Sequence, residues 1–138
     1  MAKESGLGMS VAIDDSGGTA RTISNDITSL DWATPREVSD ITGMDKSAFE
    51  RLLLLADFTV SNSGVFNDAS NMSHDVFKTR TTARTVDIRI GGNSSSNPKL
   101  AMEMVIANYN IARDSAGTLT WTATLNLSDG TVPAWTTV

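Results

Sequence analysis

The segment from Thr118 to Leu127 alternates between polar and apolar residues at every position. Its apolar members are Leu119, Trp121, Ala123, Leu125 and Leu127, and the residues between them are four threonines and Asn126. Successive side chains of a strand point to opposite faces, whereas a helix would spread these apolar residues around its circumference. The segment predicts a strand with one apolar face and one neutral, hydroxyl-rich face. That second face is either ordinary solvent-exposed surface, which the sequence alone favours, or the wall of a water-filled channel.

Other segments follow the same two-residue period. Val86, Ile88 and Ile90 alternate with polar residues, and the apolar face of Leu100–Ile106 changes parity near Ala107, which predicts a β-bulge. Clusters of Asp, Ser and Gly at 14–18 and 114–117 predict hairpin turns. We therefore expect a mostly β protein.

One amphipathic helix is expected, over about Lys46 to Leu55. Asp45 is a suitable N-cap, and apolar residues recur at helical spacing from Phe49 to Ala56. A short helical turn capped by Ser70 or Asn71 is expected near Met72–Phe77, and 29–42 is expected to be a long loop or a weak β-excursion. The predicted core consists of Phe49, Leu52, Leu53, Val86, Ile88, Leu119, Trp121 and Leu125.

The 138 residues suit one domain spanning 1–138, with a flexible N-terminal arm at 1–8 and a flexible Gly/Ser/Asn-rich loop at 91–98. Neither an internal repeat nor a second domain is visible. The longest apolar run, Leu52–Ala56, is far shorter than the ~20 residues of a membrane span. The N-terminus lacks the apolar region of a secretion signal.

The composition argues against most catalytic and metal chemistry. The chain has no cysteine and a single histidine, His74, so thiolate sites and multi-histidine metal sites within one chain are excluded. Asp75 follows His74 directly, but neighbours in sequence on a helix do not face each other, and no nucleophile motif is present. We expect no catalytic residues, no metal and no cofactor, and we expect His74 to be an ordinary surface or packing residue.

The net charge of −5 is unevenly distributed. Residues 1–68 carry −6, residues 69–99 carry +3, and the remainder carries −2. The overall acidity disfavours adhesion to DNA, whose binding depends mainly on cations that meet phosphates. The basic segment could pair with acidic residues of another copy of the chain, or its charges could simply be solvated. The candidate interface residues are Lys78, Arg80, Arg84 and Arg89.

Several short motifs occur in a recognisable order. Ile23–Leu30 (ISNDITSL) is followed by Asp40–Gly43 (DITG), the predicted helix, and Ala56–Asn67 (ADFTVSNSGVFN). This order resembles the major tail protein (tail tube) family of long-tailed bacteriophages. The pattern of Trp121–Leu125 followed by Asp129–Trp135 also resembles the closing strands of some members. The sequence departs from the family at Leu54–Asp57, where members commonly carry G-L-x-D.

The resemblance implies a β-sandwich or partial barrel with one flanking α-helix. It further implies a non-enzymatic subunit of which six copies form a ring, and rings that stack into a tube. DNA would pass through its lumen without sequence-specific binding, other tail proteins would be partners, and no membrane would be involved. The implied location is the virion tail, assembled in the host cytoplasm. The alternatives are a tail-tip, tail-terminator or decoration domain that binds other virion proteins or a host glycan, or a secretion-tube relative; a hydrolase has little support.

Overall fold

The computed structural model describes residue 3 and residues 5–138 of the chain; residues 1, 2 and 4 of the predicted N-terminal arm lie outside this part. The described residues form ten strands, a single 3-10 turn at Ser24–Asp26 and one short helix, α1 (Ser73–Phe77). The strands are β1 (Ser10–Asp14), β2 (Ala20–Thr22), β3 (Ile27–Ala33), β4 (Arg36–Asp40), β5 (Arg51–Ala56), β6 (Thr59–Val65), β7 (Arg84–Arg89), β8 (Pro98–Arg113), β9 (Leu119–Leu127) and β10 (Trp135–Thr137).

Eight strands form one antiparallel sheet. Its order is β2-β1-β7-β8-β9-β6-β3, and β10 pairs with the beginning of β8. The two end strands, β2 and β3, are consecutive in the chain and are joined by residues 23–26 alone. Such a connection spans at most ~19 Å, whereas the ends of a flat seven-strand path would lie ~29 Å apart. The sheet is therefore rolled, which confirms the expected β-rich partial barrel.

The rolled sheet encloses the core on its inner face. Long strand β8 contributes alternate residues from Leu100 to Ile106 to this core, and Trp121 and Leu125 of β9 lie beside them. Val86, Ile88, Trp121 and Leu125, all predicted core residues, are at most 1% exposed. The β8–β9 register shifts between Ile106 and Asn108, so the predicted bulge at Ala107 is present.

A buried carboxylate fixes the connection between β2 and β3 to α1. Asp26 is 4% exposed and accepts hydrogen bonds from Asn67 Nδ2 (2.9 Å) and from the backbone N–H of Ser73 (3.0 Å). The first amide of α1 is thus bound by a residue 47 positions away, and Met72, not Ser70 or Asn71, occupies the N-cap position. The backbone of Asp26 also passes so close to Gly64 that a Cβ there would lie 1.7 Å from the Asp26 carbonyl oxygen.

The predicted helix at 46–55 is wrong. Residues 51–56 form strand β5, which pairs with β4 in a separate two-stranded hairpin inserted between β3 and β6. Asp45 does not cap a helix, and its carboxylate lies 3.8 Å from Lys46 Nζ instead. The helical spacing was incidental to an unbroken apolar run, and such a run suits a strand that is apolar on both faces equally well. For residues 29–42, expected to be either a long loop or a weak β-excursion, the structure shows the β-excursion, because most of them lie in β3 and β4.

Four predicted core residues are not in the core. Phe49, Leu52 and Leu53 are 70%, 51% and 61% exposed, because the β4–β5 hairpin stands away from the rolled sheet. Leu119 is 36% exposed, because it opens β9 just after the 114–117 turn and pairs with exposed Arg113. The loop at 91–98 is as expected except that Pro98 already belongs to β8, and its flexibility stays a prediction.

Candidate assembly surface

The outer side of β3, β6, β9 and the second half of β8 forms a polar layer. The register places residues of the four strands in rows, of which one is Asp31–Ser61–Thr124–Asn108 and the next is Ser29–Ser63–Thr122–Asn110. We call this surface the polar face; it comprises Ser29, Asp31, Ala33, Thr59, Ser61, Ser63, Val65, Val105, Asn108, Asn110, Ala112, Thr120, Thr122, Thr124 and Asn126. Asp31 is the one charged residue in this set.

The opposite side of the same layer is mainly apolar, and its central part is covered. Trp121 is 1% exposed, and its indole Nε1 donates a hydrogen bond to the carbonyl oxygen of Val65 (3.0 Å). The rings of Phe77 and Tyr109 lie 5.1 and 6.3 Å from the Trp121 ring. The predicted two-faced character of β9 is therefore present, and no described element covers its threonine side.

Both lateral edges of this layer are unpaired among the described residues. β3 pairs with β6 alone, and β8 beyond Met104 pairs with β9 on one side while its other side is free. Since the four strands alternate in direction, β3 and β8 run oppositely. The β3 edge of one copy can therefore add to the β8 edge of another as an antiparallel pair. Exposed edges of this kind invite pairing with a second chain.

The β4–β5 hairpin carries the other exposed feature, a set of large apolar side chains. Met44 and Leu55 are 106% and 83% exposed, and Phe49, Leu52 and Leu53 share this exposure. The hairpin is internally ordered, since Ile41 and Glu50 are joined by a backbone hydrogen bond of 3.0 Å and the guanidinium of Arg51 lies 4.7 Å from the Phe49 ring centre. An exposed apolar surface on an ordered element is typical of a protein contact site.

Of the four predicted interface cations, Arg84 is misassigned. Its side chain is fully buried, and it donates hydrogen bonds to the carbonyl oxygens of Asp14 (2.9 Å), Val76 (2.6 Å) and Thr79. Burial lowers the pKa of the Arg84 guanidinium, and the nearby carboxylates of Asp15 and Asp14 oppose this shift. Arg84 therefore joins β7 to segments of its own chain and is not available to a neighbour.

The other three cations lie at the surface or pair locally. Lys78 lies 2.9 Å from Asp75, Arg89 lies 3.0 Å from Asp87, and Arg80 is exposed. The structure does not bring the four cations together into one site, and a role for Lys78, Arg80 or Arg89 in a subunit interface stays a prediction. The polar face and the hairpin were not predicted as interface sites; the alternation of β9 was the one sequence signal for the former.

The described residues hold no group of three His, Asp or Glu side chains placed to bind a metal ion. His74 packs against Phe66, and its Nδ1 lies 3.1 Å from the hydroxyl of Tyr109. Burial raises the pKa of the Tyr109 phenol. No helix in the described part of the chain has the length and apolarity that a membrane crossing requires.

No family model matches the sequence, and no curated protein matches it. Solved structures do share its fold. A chain from the tail of an empty gene transfer agent particle, computed with helical refinement and C6 symmetry, has a TM-score of 0.71 and 16% identity over 99% of both chains. A chain from the virion of the native gene transfer agent gives the same values.

A chain from the baseplate of the anti-feeding prophage, six-fold symmetrised, has a TM-score of 0.64 and 12% identity, and the match covers 99% of this chain and 97% of that one. The protein thus has the fold of structural components of phage-tail-like particles. At these identities the likeness concerns the fold alone.

Proposed function

We propose that this chain is a non-enzymatic structural subunit of a phage-like tail tube. Six copies close into a ring through the free edges of β3 and β8, and the polar face lines the lumen. The observation that supports this proposal most directly is the four-stranded layer, whose two unpaired edge strands run in opposite directions. Because four strands alternate within each copy, any number of copies continues the same antiparallel sheet, and six copies form a closed barrel of 24 strands. One tail that contains a chain of the same fold has C6 symmetry, which supports six copies in a ring.

The chemistry of the polar face suits the passage of DNA. Hydroxyl and carboxamide groups are hydrated and uncharged, and the face carries no lysine or arginine to bind phosphate. Asp31 adds a negative charge that repels the phosphate backbone. DNA would therefore slide through such a lumen without adhering to it and without sequence-specific contacts.

The β4–β5 hairpin supplies contacts between stacked rings. It projects from the rolled sheet, and its exposed leucines together with Phe49 and Met44 would be buried against a copy in the adjacent ring. Other tail proteins would meet the same surfaces at the two ends of the tube, and the subunit would be located in the virion tail.

A baseplate or tail-terminator ring is the second candidate, because a baseplate chain shares the fold. Negative-stain microscopy of the purified full chain separates the two functions. Long hollow tubes of uniform width support the tube subunit, single rings support the alternative, and monomers at high concentration contradict both.

Thiol accessibility tests whether the polar face lines the lumen, because the native chain has no cysteine. In assembled Thr122→Cys tubes we expect a small maleimide to react and a maleimide on a polymer wider than the lumen to fail. Ser16→Cys, in the exposed β1–β2 turn, is the matched control and should react with both reagents. Equal reaction of both variants with the large reagent would show that the polar face lies outside.

A further inference from the structure

The charge pattern at the two free edges of the layer is uneven. Asp31 lies on the β3 edge, its side chain is exposed, and the described residues offer it no hydrogen-bond or ion-pair partner. On the opposite edge, the polar face of β8 presents Asn108 and then Asn110. A carboxylate can only accept hydrogen bonds, whereas a carboxamide can donate two, so the edges carry complementary groups.

Strand geometry restricts which residue of a neighbour can lie opposite Asp31. The polar faces of adjacent copies must continue one another, since a shift of one residue would turn the buried side outward. The registers allowed are thus those that place an outward-facing β8 residue beside Asp31. Asp31 and Asn108 already end the same row, so a register without stagger places Asn108 there, and a stagger of two residues places Asn110.

Registers beyond these two give Asp31 no hydrogen-bond donor on the partner's β8. A shift toward the beginning of β8 places Val105 beside Asp31, and a further shift the other way places Ala112 there. Neither side chain can donate a hydrogen bond to the carboxylate.

We propose that Asp31 accepts a hydrogen bond from the carboxamide of Asn108 or Asn110 of the partner subunit, and that this contact selects the register in which β3 adds to the partner's β8. The inference deepens the proposed function and depends on ring closure through these edges. It makes Asp31 the residue that distinguishes a correctly closed ring from one shifted along the strand direction.

Disulfide trapping shows directly which β8 residue lies opposite position 31 of the neighbouring copy. Asp31 and Asn108 of one copy are separated by three strand spacings, ~14 Å, which no disulfide can bridge, so a bond between cysteines at these positions joins two copies. After mild oxidation of assembled Asp31→Cys/Asn108→Cys or Asp31→Cys/Asn110→Cys, we expect a covalent ladder that ends at six chains. The matched controls, Asp31→Cys/Val105→Cys and Asp31→Cys/Ala112→Cys, should give little ladder.

Exchanging the polar groups between the two edges tests how much this contact contributes to the free energy of assembly. Asn108→Asp/Asn110→Asp places carboxylates beside Asp31, and we expect it to raise the concentration needed for assembly roughly ten- to hundredfold. Adding Asp31→Asn to this variant swaps the acceptor and the donor, and should restore assembly to near the native concentration. Thr122→Asp, on an interior strand of the same face, controls for added lumen charge and should not be rescued by Asp31→Asn.

The outcomes separate the inference from the proposed function. If the native chain forms rings but the control cysteine pairs cross-link best, or if Asp31→Asn fails to rescue, register selection by Asp31 is wrong and the tube function stands. If the native chain forms no rings at any concentration, the proposed function fails and the inference fails with it. Thermal melts of the unassembled variants, which change only exposed positions, check that each one folds.

Discussion

Arg84 shows how a single buried charge organises several segments. Its guanidinium donates to carbonyl oxygens in β1, in α1 and in the segment after α1, and its Nε donates to Thr82 Oγ1 (3.1 Å). A buried guanidinium is tolerated where its donors are matched by acceptors, as they are here. One residue thereby fixes the 73–83 segment against the rolled sheet.

We expect Arg84→Met to lower the free energy of unfolding by about 3 kcal/mol, because methionine fills part of the volume but leaves the carbonyl oxygens without donors. Urea denaturation of the unassembled chain measures the loss. Arg80→Met removes an exposed arginine and should change the free energy of unfolding by less than about 0.5 kcal/mol. If Arg84→Met is as stable as the native chain but does not assemble, Arg84 would instead belong to the subunit interface.

The residues that position these segments were beyond prediction from the sequence for a physical reason. Asp26 contacts Gly64 and Ser73, 38 and 47 positions away, and Arg84 binds Asp14, 70 positions away, besides its near neighbours. Contacts between such distant positions leave no local period or spacing in the sequence. Val86, Ile88, Trp121 and Leu125 were predictable because their burial follows from the alternation of their own strand. Local patterning determines which face of a strand is buried, and the fold determines which distant groups meet.

At the scale of the element, the β4–β5 hairpin is the main departure from expectation. Its apolar residues fit helical spacing and strand pairing equally well, and no sequence signal distinguishes a helix packed on a core from a hairpin that projects from it. Cross-strand pairing, such as Ser39 with Leu52 and Val38 with Leu53, decides the conformation. An exposed apolar hairpin is also what an isolated subunit of an assembly would retain for its neighbour.

Shortening this hairpin tests its separate role. Because Asp40 and Arg51 are directly paired, residues 41–50 can be replaced by Asn-Gly, a favoured two-residue hairpin turn. We expect the free energy of unfolding to stay within about 0.5 kcal/mol of the native value, since these residues lie outside the core. Rings should still form, but microscopy should show few stacked tubes.

Met44→Ser/Phe49→Ser is the full-length counterpart, because it keeps the hairpin and removes apolar side chains from its outer half. It should also shorten the tubes, which would assign stacking to apolar burial and not to hairpin length. Tubes of native length from the shortened variant would exclude the hairpin as the stacking element.

For the whole molecule, a β-rich rolled sheet was predictable, because alternation in several segments demands strands with one buried face. The polar face as a four-stranded surface was not, because it arises from the register among four strands that are distant in the chain. The assembly proposal depends on that register. One row runs from the carboxylate of Asp31 to the carboxamide of Asn108, and the next runs from Ser29 to the carboxamide of Asn110.

Acid stability follows from the carboxylates of the whole fold. The pKa of Asp15 lies below its ordinary value of 3.8 because the amide of Thr19 and the guanidinium of Arg21 bind its charged form. Lys78 and the amide of Asn71 lower the pKa of Asp75 in the same way. A lowered folded-state pKa stabilises the protein above the unfolded value, and this contribution is lost as the pH falls through the folded value.

We therefore expect the urea midpoint of the unassembled chain to fall steadily as the pH is lowered from about 5 to about 2. In Asp15→Asn/Asp75→Asn the fall should be shallower, because asparagine does not titrate and has already lost the charge-dependent bonds at neutral pH. Asp68→Asn, which removes an exposed carboxylate without hydrogen bonds among the described residues, should follow the native curve. A double variant as acid-sensitive as the native chain would show that other carboxylates control the acid response, and would leave Asp15 and Asp75 as locally ordered surface groups.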